Sequence, residues 1–343
     1  MKALVLEAYG SFVFRDVESP SPGPRDVLIK VKACAICGSD VHGMDGSTGR
    51  RIPPIIMGHE AAGVIEEVGG EAAGFRKGDR VTFDSTLYCG ECEYCKKGQI
   101  NLCDNRRVLG VSCAEYHMDG AFAEYVAVPS RVLFRLPDEV TFEQAAMTEP
   151  LSVAYHAAEQ ARVREGVAVV TGCGTIGLLT AQVLRNRGFD RIVVTDVSNA
   201  KLEMAAELGF EHRVNSGERN VPAAVREMTG NRGADVSFDA VGTESSVMDS
   251  VQMLRKGGEC VLVGNITPTV TVPLQEIVTK QLSLLGTCAS AGEYPQCLSL
   301  IADGKVNVNA QISKAAPLSE GGVWMRRLYD REPGLSKVVL IPN

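Results

Sequence analysis

The chain reads as an α/β protein of two parts, a β-rich domain and a doubly wound parallel sheet flanked by helices. Three observations predict this. Short alternating or apolar runs, separated by Gly and Pro, fill roughly the first 150 residues. From Gly166 onward the pattern changes to apolar strands alternating with helical stretches. At 343 residues the chain is long enough for two hydrophobic cores.

In the first part, the strand-like runs lie at 27–31, 63–65, 80–83 and 123–128. In the second, six apolar runs at 167–171, 191–195, 212–214, 235–239, 260–263 and 282–285 predict the strands of one parallel sheet. Apolar residues at helical spacing mark connections such as 176–187 and 199–208. After residue 292 come a helical stretch, a second helix around 322–329 and a strand at 337–341, expected to pack back on the first domain. The expected division is therefore 1–153 with 292–343, and 154–291.

Composition is that of an ordinary globular protein, 45% hydrophobic and 22% charged. A formal charge of −7 argues against a nucleic-acid surface, which needs clustered basic residues to hold phosphates. The pairs Arg50-Arg51, Arg106-Arg107 and Arg326-Arg327 read as solvated faces. The opening Met1-Lys2-Ala3-Leu4-Val5-Leu6 is too short an apolar run for a signal peptide, and no run is long enough to span a bilayer. A cytoplasmic protein without membrane partners is expected.

Eleven cysteines, an odd number, with no export signal favour metal binding or buried thiols over a disulfide framework. Cys113, Cys173, Cys260, Cys288 and Cys297 are scattered and read as small hydrophobes. Cys89, Cys92, Cys95 and Cys103 instead stand at C-x2-C-x2-C-x7-C, dense enough to wrap four thiolates around one Zn²⁺. Four thiolates close the coordination shell, so this zinc is expected to brace a lobe rather than catalyse. A redox role for one two-residue-spaced pair fits four clustered cysteines less well.

Gly172-Cys173-Gly174-Thr175-Ile176-Gly177 follows the run 167–171 and opens a helical stretch, the context a dinucleotide fingerprint requires. The first glycine permits the tight turn, the second lets backbone approach a pyrophosphate, and the third allows close helix–strand packing. The phosphates then meet the positive end of the helix, beside Thr175 and Ile176. Asp196 ends the next strand, where a carboxylate accepts from ribose hydroxyls and repels a 2′-phosphate, so NAD is favoured over NADP. Lys201 stands nearby. Val241-Gly242 and Val263-Gly264 follow later strands and are further candidate cofactor contacts.

Upstream, Cys37-Gly38-Ser39-Asp40-Val41-His42 and Gly58-His59-Glu60 place thiolate, imidazole and carboxylate groups at loop positions, and Glu149 precedes Pro150 near the domain junction. Each is ambiguous alone. Together with the cysteine quartet and the glycine turn, they resemble the zinc-containing medium-chain alcohol dehydrogenases across nearly the whole chain. The run Glu149-Pro150-Leu151-Ser152-Val153 resembles the sorbitol and polyol dehydrogenase branch, which carries Glu where liver-type enzymes carry a third zinc-binding Cys.

The resemblance implies a GroES-like catalytic domain joined to a Rossmann domain, with catalytic and structural zinc and NAD⁺. Carried over by position, Cys37 and His59 are direct zinc ligands, Glu60 is a ligand or close neighbour, and Glu149 binds zinc directly or through its water. The implied reaction is oxidation of a secondary alcohol, a polyol in this branch. Zinc acts there as a Lewis acid, and Ser39 passes the hydroxyl proton through a cofactor ribose hydroxyl toward His42. Asp40 orients a ligand. Related branches take polyol phosphates, threonine or butanediol. Arg50, Arg51 or Arg106 would be the residues to hold a phosphate. A homo-oligomer, dimer or tetramer, is implied as well. The contrasting reading is a catalytically silent NAD-binding protein, against which the intact constellation of Cys37, Ser39, His42, His59 and Glu149 speaks. A zinc-free quinone reductase would be expected to lack both metal sets.

Overall fold

Strand Val167–Thr171 is buried along its whole length, as expected of a β-branched apolar run covered on both faces of a parallel sheet. It lies at the centre of a six-stranded sheet. From edge to edge the order is His212–Asn215, Arg191–Asp196, Val167–Thr171, Ala234–Asp239, Leu254–Leu262 and Ser283–Gly286. Every pairing in it is parallel. Taken in sequence order this is the 3-2-1-4-5-6 arrangement of a doubly wound nucleotide-binding sheet, with its topological switch beside Val167–Thr171.

The computed structural model describes residues 1–342, in two compact units. The sheet belongs to the unit formed by Pro150–Ser290 and Gly304–Ala310. Residues 304–310 are tied in by the helix Thr175–Asn186: Gln182 accepts from the Asn307 amide at 2.8 Å, and Asn186 donates to the Lys305 carbonyl at 2.9 Å. Helices Val221–Met228 and Glu244–Gln252 start on side-chain caps, Asn220 on the Ala223 amide and Thr243 in a box with Ser246.

One strand is longer than the expected run 260–263: it begins at Leu254. Arg255 and Lys256 hide its start from a hydrophobicity reading. Arg255 is accommodated because its guanidinium meets Asp235 on the neighbouring strand at 2.6 Å, and the ladder shifts register there.

The other unit comprises Met1–Glu149, Ala291–Asp303 and the residues from Gln311 onward. Its main sheet runs Leu133–Arg135, Arg80–Phe83, Glu60–Val68, Asp26–Ala35, Lys337–Ile341 and Ile312–Pro317, with Tyr125–Pro129 also paired to Asp26–Ala35. The core is aliphatic with a few large rings, among them Phe83 and Phe122, both fully buried. The C-terminal strand Lys337–Ile341 is inserted beside Asp26–Ala35, a position that brings the end of the chain to residues near its beginning. Among the described residues no helix is long and apolar enough to cross a membrane.

Candidate functional site

Two antiparallel strands place the first cluster. Ala35 pairs with Glu60 across the sheet, so the chain leaving one strand at Cys37 and the chain entering the other at His59 arrive at the same end. Gly58 makes the entry possible: its φ is +92°, and a Cβ there would lie 2.6 Å from the Phe122 ring. Donor atoms of Cys37, His59 and Glu60 all lie within 4.8 Å of one another.

Cys37 caps the short helix Gly38–Gly43. Its Sγ accepts from the Ser39 amide at 3.5 Å, and the Asp40 carboxylate accepts from the Cys37 amide at 3.2 Å. Asp40, fully buried, also faces His59 Nδ1 at 3.5 Å. That contact leaves Nε2 as the ring nitrogen free to ligate a metal. Burial works against charge on the His59 ring, yet Asp40 and then Cys37 hold its pKa well above the ordinary value. Anions that favour a proton on this ring equally favour a metal cation among them, so the donor set fits zinc.

Glu60 is already engaged. Lys337 Nζ lies 2.9 and 2.7 Å from its two carboxylate oxygens and 3.2 Å from the Ile36 carbonyl, and both side chains are buried. Glu149 stands outside the close donor set. Loss of solvent around its carboxyl, against the pull of His59, pushes its pKa up to about 7, with Glu60 and Asp84 adding repulsion. Ser39 and His42 are exposed on the short helix.

The expectation that Arg50-Arg51 forms one solvated face is corrected by burial. Arg50 is exposed and donates to the Tyr116 hydroxyl at 3.2 Å, whereas Arg51 is 4% exposed and binds Asp40 through Nη2 at 3.0 Å and Nε at 3.3 Å. A buried carboxylate needs compensation, and the nearest guanidinium supplies it.

The cysteine quartet closes a lobe based on the two-stranded pair Thr86–Leu87 and Arg107–Val108. Its four sulfurs lie within 4.8 Å of one another. Cys103 Sγ is 3.5 Å and Cys95 Sγ 4.0 Å from Cys89 Sγ. Zinc–sulfur bonds of about 2.3 Å in a tetrahedron require sulfurs about 3.8 Å apart, so the quartet fits the ion. Backbone N–H groups of Glu91 and Cys92 bring the Cys89 thiol down to about 6, while desolvation lifts Cys95 to about 12.

In the nucleotide unit, Gly172 has φ +94°, and a Cβ on it would lie 2.6 Å from Val241. A Cβ on Gly177 would lie 1.8 Å from the Gly172 carbonyl oxygen, whereas one on Gly174 would meet open space. Gly174 caps the helix Thr175–Asn186 without a side-chain hydrogen bond, leaving its first amides available to an anion. Asp196 accepts from the Cys173 amide at 2.8 Å and the Ser198 amide at 2.9 Å, with Lys201 Nζ 3.7 Å away. The turns Val241-Gly242 and Val263-Gly264 touch each other: a Cβ on Gly242 would lie 2.2 Å from Gly264.

Three organising residues escape a sequence reading. Asp239 accepts from the Val241 and Gly242 amides at 3.1 and 3.0 Å and so shapes the first of these turns. Arg51 and Lys337 are the others. A lysine opening an otherwise apolar terminal strand is a faint signal for Lys337, and Arg51 carries none.

Residues 23–138 match the alcohol dehydrogenase GroES-like domain family, and residues 175–303 match the zinc-binding dehydrogenase family. A sorbitol dehydrogenase of Halalkalibacterium halodurans is 35% identical over 100% of this chain and 99% of its own. An L-idonate 5-dehydrogenase of Vitis vinifera is 36% identical over 89% of this chain and 84% of its own. The crystal structure of a putative zinc-binding dehydrogenase from Sinorhizobium meliloti 1021, bound to NADP, superimposes with a TM-score of 0.90 at 32% identity, covering 99% of each chain.

Proposed function

The chain belongs to the zinc-containing medium-chain alcohol dehydrogenases, in their sorbitol dehydrogenase-like branch, and from that membership we propose that it oxidises a secondary hydroxyl of a polyol to a ketone with NAD⁺ as hydride acceptor. The observation that carries the reading is the convergence of Cys37, His59 and Glu60 donors within 4.8 Å, next to the exposed hydroxyl-bearing Ser39. Bound there, zinc supplies Lewis-acid polarisation of the alcohol oxygen, and NAD⁺ supplies the hydride acceptor.

The residues divide the remaining work. Cys37 and His59 hold the metal, with Glu60, which is paired with Lys337, as ligand or close neighbour and Glu149 binding directly or through water. Asp40 orients His59. Ser39 accepts the proton leaving the alcohol as it gives up its own, and His42 passes that proton toward solvent. Cys89, Cys92, Cys95 and Cys103 hold a second, structural zinc. The first unit is the catalytic domain, and the unit containing the parallel sheet binds the coenzyme. Gly172, Gly174, Thr175, Ile176 and Gly177 cradle the pyrophosphate, Asp196 and Lys201 take the adenosine ribose, and Val241, Gly242, Val263 and Gly264 line the site.

The names of the two relatives support a polyol-type substrate. Of the candidate phosphate-holding arginines, Arg51 is withdrawn from that role, buried and ion-paired with Asp40, which favours an unphosphorylated substrate. The protein works as a cytoplasmic homo-oligomer in this reading. The uncharged edge strand Ser283–Gly286 and the helix Leu274–Lys280, whose Leu274 and Val278 are exposed, offer surface to a second copy.

The test is NADH or NADPH formation across a panel of polyols, polyol phosphates, threonine, butanediol and simple primary alcohols, with and without chelator. Chelator-sensitive NADH formation with a polyol is the expected result. Preference for a simple primary alcohol would overturn the substrate assignment.

A further inference from the structure

Among the described residues Arg51 is the one buried guanidinium, and it reaches two partners with different duties. Its Nη2 lies 3.0 Å from Asp40 Oδ1 and 3.4 Å from Ser39 Oγ, while Nε lies 3.3 Å from the same Asp40 oxygen. Its Nη1 donates to the Arg50 carbonyl at 3.0 Å, and its backbone bridges to Ser112, so the side chain is held at root and tip. Gly43, in the short helix that carries Ser39 and Asp40, makes room for the stem: a Cβ there would lie 2.6 Å from Arg51 Cγ.

We infer that Arg51 is a positioning residue for the proposed oxidation, holding the Ser39 hydroxyl and the Asp40 carboxylate in one rigid fork and, through Asp40, setting the orientation of the His59 ring. A guanidinium only donates. By occupying one lone pair of Ser39 Oγ, it leaves the other lone pair and the hydroxyl hydrogen to point at the substrate and at the next proton acceptor. By binding Asp40 Oδ1, the same oxygen that His59 Nδ1 faces at 3.5 Å, it fixes the carboxylate against that ring. Lysine provides the charge but not the planar fork, so it does not replace arginine here. The inference rests on the functional reading for Ser39, while its bearing on His59 stands on the metal-ligand geometry alone.

Three variants test it: Arg51→Lys, Ser39→Ala and the double substitution, each measured as zinc enzyme and with cobalt(II) in the catalytic position. Arg51→Lys is expected to lower kcat about 10- to 100-fold, in line with other groups that orient metal ligands, with KM for NAD⁺ unchanged. The visible cobalt bands should shift, because His59 loses its fixed orientation. In the Ser39→Ala background the same lysine should cost much less, because the shared hydroxyl is gone. Gly43→Ala keeps the arginine but displaces its stem, and it should shift the cobalt bands in the same way, a second route should Arg51→Lys fail to fold. Additive losses with unchanged cobalt bands would overturn the inference. A wild-type enzyme that oxidises no alcohol would overturn the functional reading instead, and the cobalt bands would then decide Arg51 separately.

Discussion

The ammonium of Lys337 sits 2.7 and 2.9 Å from the two carboxylate oxygens of Glu60, although 277 residues separate them in the chain. Lys337 is 3% exposed and Glu60 0%. Burial works against charge on Lys337, but Glu60 outweighs it and holds the ammonium pKa above its ordinary value. Removing one partner of such a pair strands the other's charge in the interior. Lys337→Met is therefore expected to destabilise the first unit by about 3–5 kcal/mol, read as a lower urea midpoint, and Lys337→Arg to recover most of the loss. An unchanged midpoint for Lys337→Met would show that the pair contributes nothing net.

The cysteine quartet has no place for substrate, so its loss should act on stability before chemistry. Cys92→Ser is expected to reduce zinc from about two ions per chain to about one, with a lower melting temperature and greater protease sensitivity around 86–108. Metal analysis of the purified variant checks it, and an unchanged zinc content would refute the assignment of Cys92 as a ligand.

Asp196 combines two tasks, accepting from the Cys173 and Ser198 amides and presenting a carboxylate at the end of its strand. Asp196→Ser should raise KM for NAD⁺ about 10- to 100-fold, the equivalent of losing charged hydrogen bonds of about 1.5–3 kcal/mol. NADPH formation should improve relative to wild type, since the repulsion of a 2′-phosphate is removed while Lys201 remains. Steady-state kinetics with both coenzymes measure the switch.

Asp235 gives a pH signature in the nucleotide unit. Desolvation would raise its carboxyl, yet Arg232, the Val167 amide and Arg255 hold it well below the usual carboxylate range. A depressed carboxyl stabilises the fold fully above its unfolded value of about 3.9 and loses that contribution as pH falls through the native value. Asp235→Asn is expected to cost about 1–3 kcal/mol near neutrality, discounted because Arg232 is half exposed. The gap to wild type should narrow progressively below about pH 4. Denaturation curves of both proteins across acid pH read it directly, and a constant gap would refute the carboxylate's role.

Some of the site was legible because its causes are local. The glycine turn Gly172 to Gly177 follows a strand and opens a helix, and Gly177 answers to the Gly172 carbonyl five residues before it. The quartet Cys89 to Cys103 folds around itself within fifteen residues. Spacing alone can express such sites. The strand starting at Leu254 is hidden from the sequence for the opposite reason: the charge of Arg255 is met by Asp235, a residue on another strand.

By itself, then, the amino-acid sequence determined the two-part α/β plan, the nucleotide turn, the cysteine lobe and the residue types that hold a metal. Tertiary structure decided which charges are buried and with whom. Arg51 looks like any surface arginine until the short helix brings Asp40 against it, and Lys337 looks like the polar start of a strand until that strand inserts beside Ala35. A charge written in the sequence carries no information about its solvent. Desolvation and pairing are set by what the folded chain places within about 4 Å, whether the partner is 11 residues away, as Asp40 is from Arg51, or 277, as Glu60 is from Lys337.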